Sequence, residues 1–346
     1  MSRPSFPGGL SERDPDLTTR QREVFAALVS VHEQTAQPVS SEAVGRHSRL
    51  RWSAASVRGT LAELESLGLL ARAHASAGAV PSAAGYAFFV RRELMPAQLP
   101  DDLKREVDER LRRASRDVKE LLAEASRVLS GLTYQLGLAV TTPLDEERLA
   151  DVDLTPLGPT RTLMALGLQS GSAHSLVLEL EHPLEREELE EVVVVLRERL
   201  VGLRLIDVRE RLLDDDELVG RTAVRVVARA AAASWDQPAS GTVFSAGAGR
   251  FAAQPEFADH ARLGSLLRVV ECGRPLDRLM VGTAEGQPAV HVALDEDLAL
   301  MGCSLVSFPL SGRFPSAVGV LGPLRMNYAR CVAVVELVGS RVAELS

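Results

Sequence analysis

Residues 53 to 68, SAASVRGTLAELESLG, place Val57, Leu61, Leu64 and Leu67 at steps of four, three and three. That is the apolar stripe of one helix, and it dictates what must pack there. Ser53 can cap its start and Gly68 suits its end. The opposite face carries Ala55, Arg58, Gly59 and Ala62, small and smooth with one cation near the start. Only a slim face lets a helix backbone approach base edges in a DNA major groove. An ordinary amphipathic core helix carries the same stripe, so the neighbouring segments decide between the two readings.

Upstream, Val24, Leu28 and Val31 form the stripe of a helix over 17 to 37, with Thr18 or Thr19 as its cap and Pro38 as its stop. VSSEAVGRHSRL then gives a short helix capped by Ser40 or Ser41, and a turn carrying Arg46, Arg49 and Arg51. Helix, short helix, tight turn and slim helix is the helix-turn-helix order. Downstream, residues 69 to 72 read as a strand, HASAGAVPS as a small-residue loop, and Ser82 as the cap of a helix holding Tyr86, Phe88 and Phe89. A strand and loop directly after a reading helix fit a wing, which reaches DNA backbone or minor groove. A plain hairpin beside a three-helix bundle is the competing reading.

The charge distribution bears on this choice. The whole chain is at −8, which disfavours nucleic acid, but residues 1 to 95 hold 11 Arg against 9 Asp and Glu, and the remainder holds 28 Lys and Arg against 38 acids. A mildly basic module on an acidic body is compatible with DNA binding by that module. No apolar run approaches bilayer length and residues 1 to 16 lack a signal-peptide core. Three widely spaced cysteines, Cys272, Cys303 and Cys331, form neither a disulfide framework nor a CxxC pair. The expected location is the cytoplasm.

Beyond the module, Pro96 and Pro100 make a stiff link, and residues 102 to 132 read as one long charged helix. Its seam can pack on its own domain or on a partner subunit. Apolar runs at 133 to 142 and 161 to 181 read as strands, and 186 to 203 and 213 to 235 as helices. Residues 255 to 281 are helical. Hairpin strands follow at 281 to 295, two more at 303 to 309 and 317 to 322, and a last helix capped by Asn327. An antiparallel sheet flanked by a first and a last helix is an α+β sensor-type layout.

Several of these strings resemble the HrcA-type heat-inducible transcription repressors. They are LTTRQREVFAALV (17 to 29), PVSSEAV (38 to 44), SAASVRGTLAELESLGLL (53 to 70), HASAGAVPSAAGYAFFV (74 to 90), CSLVSFPL (303 to 310) and VGVLGPLRMNYAR (318 to 330). The resemblance implies a multidomain α+β protein: an N-terminal winged helix-turn-helix, then a GAF-like α+β domain with an inserted dimerisation subdomain. On this chain the expected boundaries are a disordered arm at 1–16, the winged-helix domain at 17–95, the GAF-like domain at 96–159 and 241–346, and the insert at 160–240. It places a turn at the Gly-rich 240 to 253. It also implies a homodimer on an inverted-repeat operator upstream of chaperone genes, nucleoid-associated when bound, with activity tuned by a chaperonin.

The expected DNA contacts are Ser53, Ser56, Arg58 and Thr60 on the reading helix, Arg46, Arg49 and Arg51 before it, and His74, Ser76 and Gly78 in the wing. Three positions depart from the family pattern. Gly59 stands where an Asn usually follows the Arg, and Ala75 and Ala79 stand where the wing usually has Thr and Arg. An Asn can bond adenine twice and Gly cannot; an Arg can reach phosphate or a narrow minor groove and Ala cannot. A weaker or altered sequence preference is expected. The alternative function is a winged-helix scaffold whose C-terminal domain senses a ligand or a protein, with weak or nonspecific DNA binding.

Catalytic signals are lacking. The seven His are scattered, with no HExxH spacing, no GxSxG, no Walker sequence and no dinucleotide fingerprint. Asp214, Asp215 and Asp216 sit at the start of the helix expected over 213 to 235, where carboxylates are favoured without a metal. No enzyme activity, cofactor, metal or membrane partner is expected.

Overall fold

The computed structural model describes residues 14–47, 52–72, 78–141, 147–169, 173–214, 222–234, 243–281, 286–295, 297–310 and 316–345. The chain begins with α1 (Thr19–Thr35), α2 (Ser41–His47) and α3 (Ala54–Ser66), followed by the strands β1 (Leu70–Ala71) and β2 (Val80–Pro81). α4 (Ala83–Phe88) runs on into a π-helical turn at Phe89–Glu93. α5 (Asp101–Ala114), α6 (Val118–Thr133) and β3 (Leu136–Thr141) come next. Then follow β4 (Leu149–Pro156), β5 (Arg161–Leu168), β6 (Ala173–Glu179), α7 (Arg186–Leu200), α8 (Leu205–Asp214) and α9 (Thr222–Ser234). The last part holds β7 (Val243–Ala246), α10 (Ala248–Ala252), α11 (His260–Cys272), α12 (Leu276–Val281), β8 (Ala289–His291), β9 (Cys303–Leu310), β10 (Ser316–Pro323) and α13 (Tyr328–Leu345).

Local chemistry explains the helix starts. Thr18 and Gln21 close a capping box on α1: Thr18 Oγ1 accepts from the Gln21 amide at 3.3 Å, and Gln21 Oε1 accepts from the Thr18 amide at 2.9 Å. Ser40 caps α2 through the Ala43 amide at 3.2 Å. Ser82 caps α4 through the Gly85 amide at 2.9 Å, and Asn327 caps α13 through the Arg330 amide at 2.9 Å. Each cap satisfies a first-turn donor that the helix itself cannot pair.

The chain forms two compact units. One takes in the described residues of Met1–Val140, Val243–Leu310 and Ser316–Ser346; the other takes in those of Thr141–Thr242. In the first, five strands lie in the order β7-β3-β10-β9-β8, with β3 antiparallel to β7, β9 antiparallel to β10, and β8 antiparallel to β9. Every residue of β9 and β10 is buried, because α6 and α13 cover one face of the sheet and α11 and α12 the other. Such strands read as continuous apolar runs rather than as alternation. One core runs without a break from Val24, Phe25 and Leu28 of α1 through Leu121 and Val128 of α6 to Val334 and Val338 of α13. The second unit has a three-stranded antiparallel sheet, β4-β5-β6. There β5 alternates, with Thr162, Met164, Leu166 and Leu168 buried beside α7, α8 and α9, and the other face left open.

Three expectations give way here. The charged stretch 102 to 132 is not one helix: α5 stops at Ala114 and α6 restarts at Val118, where Asp117 accepts from the Lys119 amide at 2.7 Å and the Glu120 amide at 3.4 Å. A strong N-cap inside a charged run ends one helix and starts the next. The insert expected at 160–240 leaves out β4, which pairs with β5 from Leu149 to Pro156 with one register shift at Ala150, so the second unit starts near Thr141. The Gly-rich 240 to 253 holds more than a turn: β7 pairs with β3, and α10 follows Gly247, whose φ is +88°. The arm at 1–13, and Asp215 and Asp216 of the acidic triplet, lie outside the described residues.

Candidate nucleic-acid interface

α3 is held from beneath by α1 and α2. Val57, Leu61 and Leu64 are buried. Ser53 Oγ accepts from the Ser56 amide at 3.1 Å, and Gly68, at φ +74°, turns the chain out of the helix. On the outer side Ala54, Ala55, Arg58, Gly59 and Ala62 are all exposed. Nothing lies within 4 Å of where a Cβ would sit on Gly59. Arg58 makes no hydrogen bond or ion pair among the described residues, so its charge is free for a ligand. Further along, Glu63 accepts from Gln21 at 2.9 Å and pairs with Arg20 at 3.4 Å, tying α3 to α1.

The candidate contact residues divide into distinct groups. Arg58 and Ser53 are exposed at the start of α3, although the Ser53 hydroxyl is engaged as the cap, and Ser56 is half-buried beside them. Arg46 is exposed on α2 and lies 3.7 Å from Glu42 one turn away, a screened surface pair worth little. Thr60 is not a contact. It is fully buried and its hydroxyl donates to the Ser56 carbonyl at 3.1 Å. Gly78 is a packing position: a Cβ there would lie 2.7 Å from the carbonyl carbons of Pro38 and Val39. Beside it Ala79 is buried and exchanges two 2.9 Å backbone hydrogen bonds with Val39, so this position faces the core, where no side chain meets phosphate. Arg49, Arg51, His74, Ala75 and Ser76 lie outside the described residues.

Two residues near α3 had no assigned role. Trp52 is 40% exposed just before the helix and donates from Nε1 to Glu23 at 3.2 Å. His47 lies 3.0 Å from Ser30. An exposed Trp before a Ser cap was the available signal for the first; the second had none.

The far side of the same module is closed. Tyr86 of α4 lies against Tyr328 of α13, ring centroids 5.9 Å apart, and its hydroxyl is 2.7 Å from His32 Nδ1. The Tyr328 hydroxyl is 2.8 Å from both Ser304 Oγ and the Leu324 carbonyl oxygen. Burial pushes both phenols well above their ordinary range. Glu33, in the last turn of α1, is pushed up to about 8 by burial, with Arg325 opposing the shift. Burial also raises the thiols of Cys303 and Cys331 to about 12, which makes both inert. Among the described residues no three His, Cys, Asp or Glu side chains gather as metal ligands, and no helix is long and apolar enough to cross a membrane.

The sequence model of the HrcA protein C terminal domain matches residues 119–332. The heat-inducible transcription repressor HrcA of Prosthecochloris aestuarii is 30% identical, with 95% of this chain and 97% of that protein covered. The protein of the same name from Nitratidesulfovibrio vulgaris is 30% identical over 96% of each chain, and that from Halalkalibacterium halodurans 27% identical over 95% and 97%. A crystal structure described only as that of a hypothetical protein matches over 95% of this chain and 98% of its own, with TM-score 0.54 and 20% identity, a likeness of fold. The class that these relatives define is the heat-inducible transcription repressors. This chain belongs to the HrcA family.

Proposed function

We propose that this chain represses heat-shock genes by binding DNA directly, with α1 to α3 and the β1–β2 hairpin acting as a winged helix-turn-helix and α3 as the reading helix. The observation that carries this is the outer face of α3: small, exposed, and bearing an Arg58 with no partner among the described residues. A backbone bare of bulky side chains can approach base edges, and a free guanidinium can take a guanine edge or a phosphate. The five-stranded sheet with α6, α11, α12 and α13 serves as a GAF-like sensor domain. The second unit serves as the dimerisation domain; the open face of its sheet, with Leu163 opposite Val177, supports that role. Two copies would then present two reading helices to an inverted repeat. A chaperonin is the proposed partner through which heat releases repression.

The test is selection of random duplex DNA by the purified full-length chain. Enrichment of an inverted repeat is expected. Binding with a steep salt dependence and no enriched sequence would instead favour the scaffold reading, in which DNA is held only through phosphates. The bare Gly59 is the observation behind that second reading, since it removes a side chain that could read a base.

A further inference from the structure

The Arg325 of GPLRMNY lies between β10 and α13, in the five-stranded part of the first unit, yet its guanidinium reaches two distant segments. It forms a fork-to-fork pair with Glu256 of the Pro255–Phe257 turn, in which Nε and Nη2 each meet a carboxylate oxygen, the second at 3.1 Å. From the same group Nη1 donates to the Glu33 carbonyl oxygen at 3.2 Å. That carbonyl belongs to the last turn of α1, where a helix leaves acceptors unpaired and where a cation is electrostatically favoured. The Arg325 side chain is only 17% exposed and that of Glu256 29%. Its backbone is held as well: the Met326 amide donates to the Pro323 carbonyl at 3.0 Å, and Asn327 caps α13. The Tyr86–Tyr328 contact alongside adds apolar packing between the same segments. The planar Arg fork has direction. α1 in turn carries α3, through their shared core and through Glu63 with Arg20 and Gln21.

We propose that Arg325 is a positioning residue for DNA reading: by capping α1 from the sensor domain while anchored on Glu256, it fixes the angle at which α3 is presented, and with it the operator spacing that a dimer accepts. The proposal rests on the DNA-reading function above. Arg325 touches no DNA in this account; it acts through α1.

The experiment compares the full-length chain with Arg325→Ala, Arg325→Lys and Glu256→Gln on three duplexes: a single half-site, the selected inverted repeat, and repeats respaced by one or two base pairs. Arg325→Ala is expected to change half-site affinity by less than about twofold and to weaken the correctly spaced repeat about tenfold, the scale of avidity lost when two linked sites no longer meet in register. Discrimination between spacings should flatten. Glu256→Gln keeps the shape of the side chain and loses the anchor, so it should shift affinity the same way. Arg325→Lys, which keeps charge without the fork, should fall between Arg325→Ala and the parent chain. Equal losses on half-site and repeat, or an unchanged repeat affinity with sharp spacing preference, would overturn the proposal. A parent chain that binds none of the three duplexes would overturn the DNA-reading function itself, whatever the variants do.

Discussion

Gly59 and Gly85 are helical glycines of the same small module, in opposite surroundings. A Cβ on Gly59 of α3 would meet nothing within 4 Å, whereas a Cβ on Gly85 of α4 would collide with the Leu69 carbonyl oxygen and lie 3.0 Å from its carbon. The contrast extends to everything near them. Around Gly59 the side chains are small and exposed, and Arg58 has no partner among the described residues. Around Gly85 the aromatics interlock, and Tyr86 meets His32 and Tyr328. A module with a tightly packed side does not need its other side for stability. The bare face of α3 is open surface that the packing of the module does not use.

The largest effect should come from filling the closed side. Gly85→Ala forces α4 off the Leu69 backbone and should cost about 3 kcal/mol or more in urea unfolding, at the upper end of overpacking because the obstacle is backbone. A loss below about 1 kcal/mol would mean that the two sides differ less than their geometry says.

The next tests why the closed side tolerates a buried acid. Glu33 interacts electrostatically with Tyr86 in the module, and with Arg325, Tyr328 and Cys331 beyond it. Its native pKa of about 8 lies above its ordinary 4.5. Between those values the folded chain keeps a proton that the unfolded chain has released, so stability falls as pH rises through that window. Below about 4.5 both states are protonated and the penalty disappears. Glu33→Gln should stabilise the chain at pH 8 by on the order of 2 kcal/mol, discounted for partial exposure, and by little near pH 4.5. An equal gain at both values would show that charge is not the cause. The smallest effect is on the open side: Gly59→Ala should add about 1 kcal/mol, since the helix gains propensity and the space is empty. A loss of stability would mean that the face is not open.

Much of this fold is legible in local sequence. Thr18, Ser53, Ser82 and Asn327 are each the cap that their position announces, because a cap needs only three or four neighbouring residues. Thr60 was also within reach. It follows Val57 by three residues, which puts it on the buried face of α3 whatever its polarity. The break at Asp117 was hidden by charges that suit a helix surface as well as a cap. β4 was hidden because LADVDLTP is acidic and ends in Pro, so its alternation shows only once β5 lies alongside. The Arg325 contacts join positions 69 and 292 residues apart, and no local period reports such a meeting.

The most direct test of the account is the affinity of the parent chain and Arg58→Ala for the selected inverted repeat, at one stated salt concentration. A reading contact at Arg58 predicts a loss of about 1–3 kcal/mol per half-site, about fivefold or more, with relaxed preference at the base it meets. Unchanged affinity and unchanged preference in Arg58→Ala would contradict the claim that α3 reads DNA.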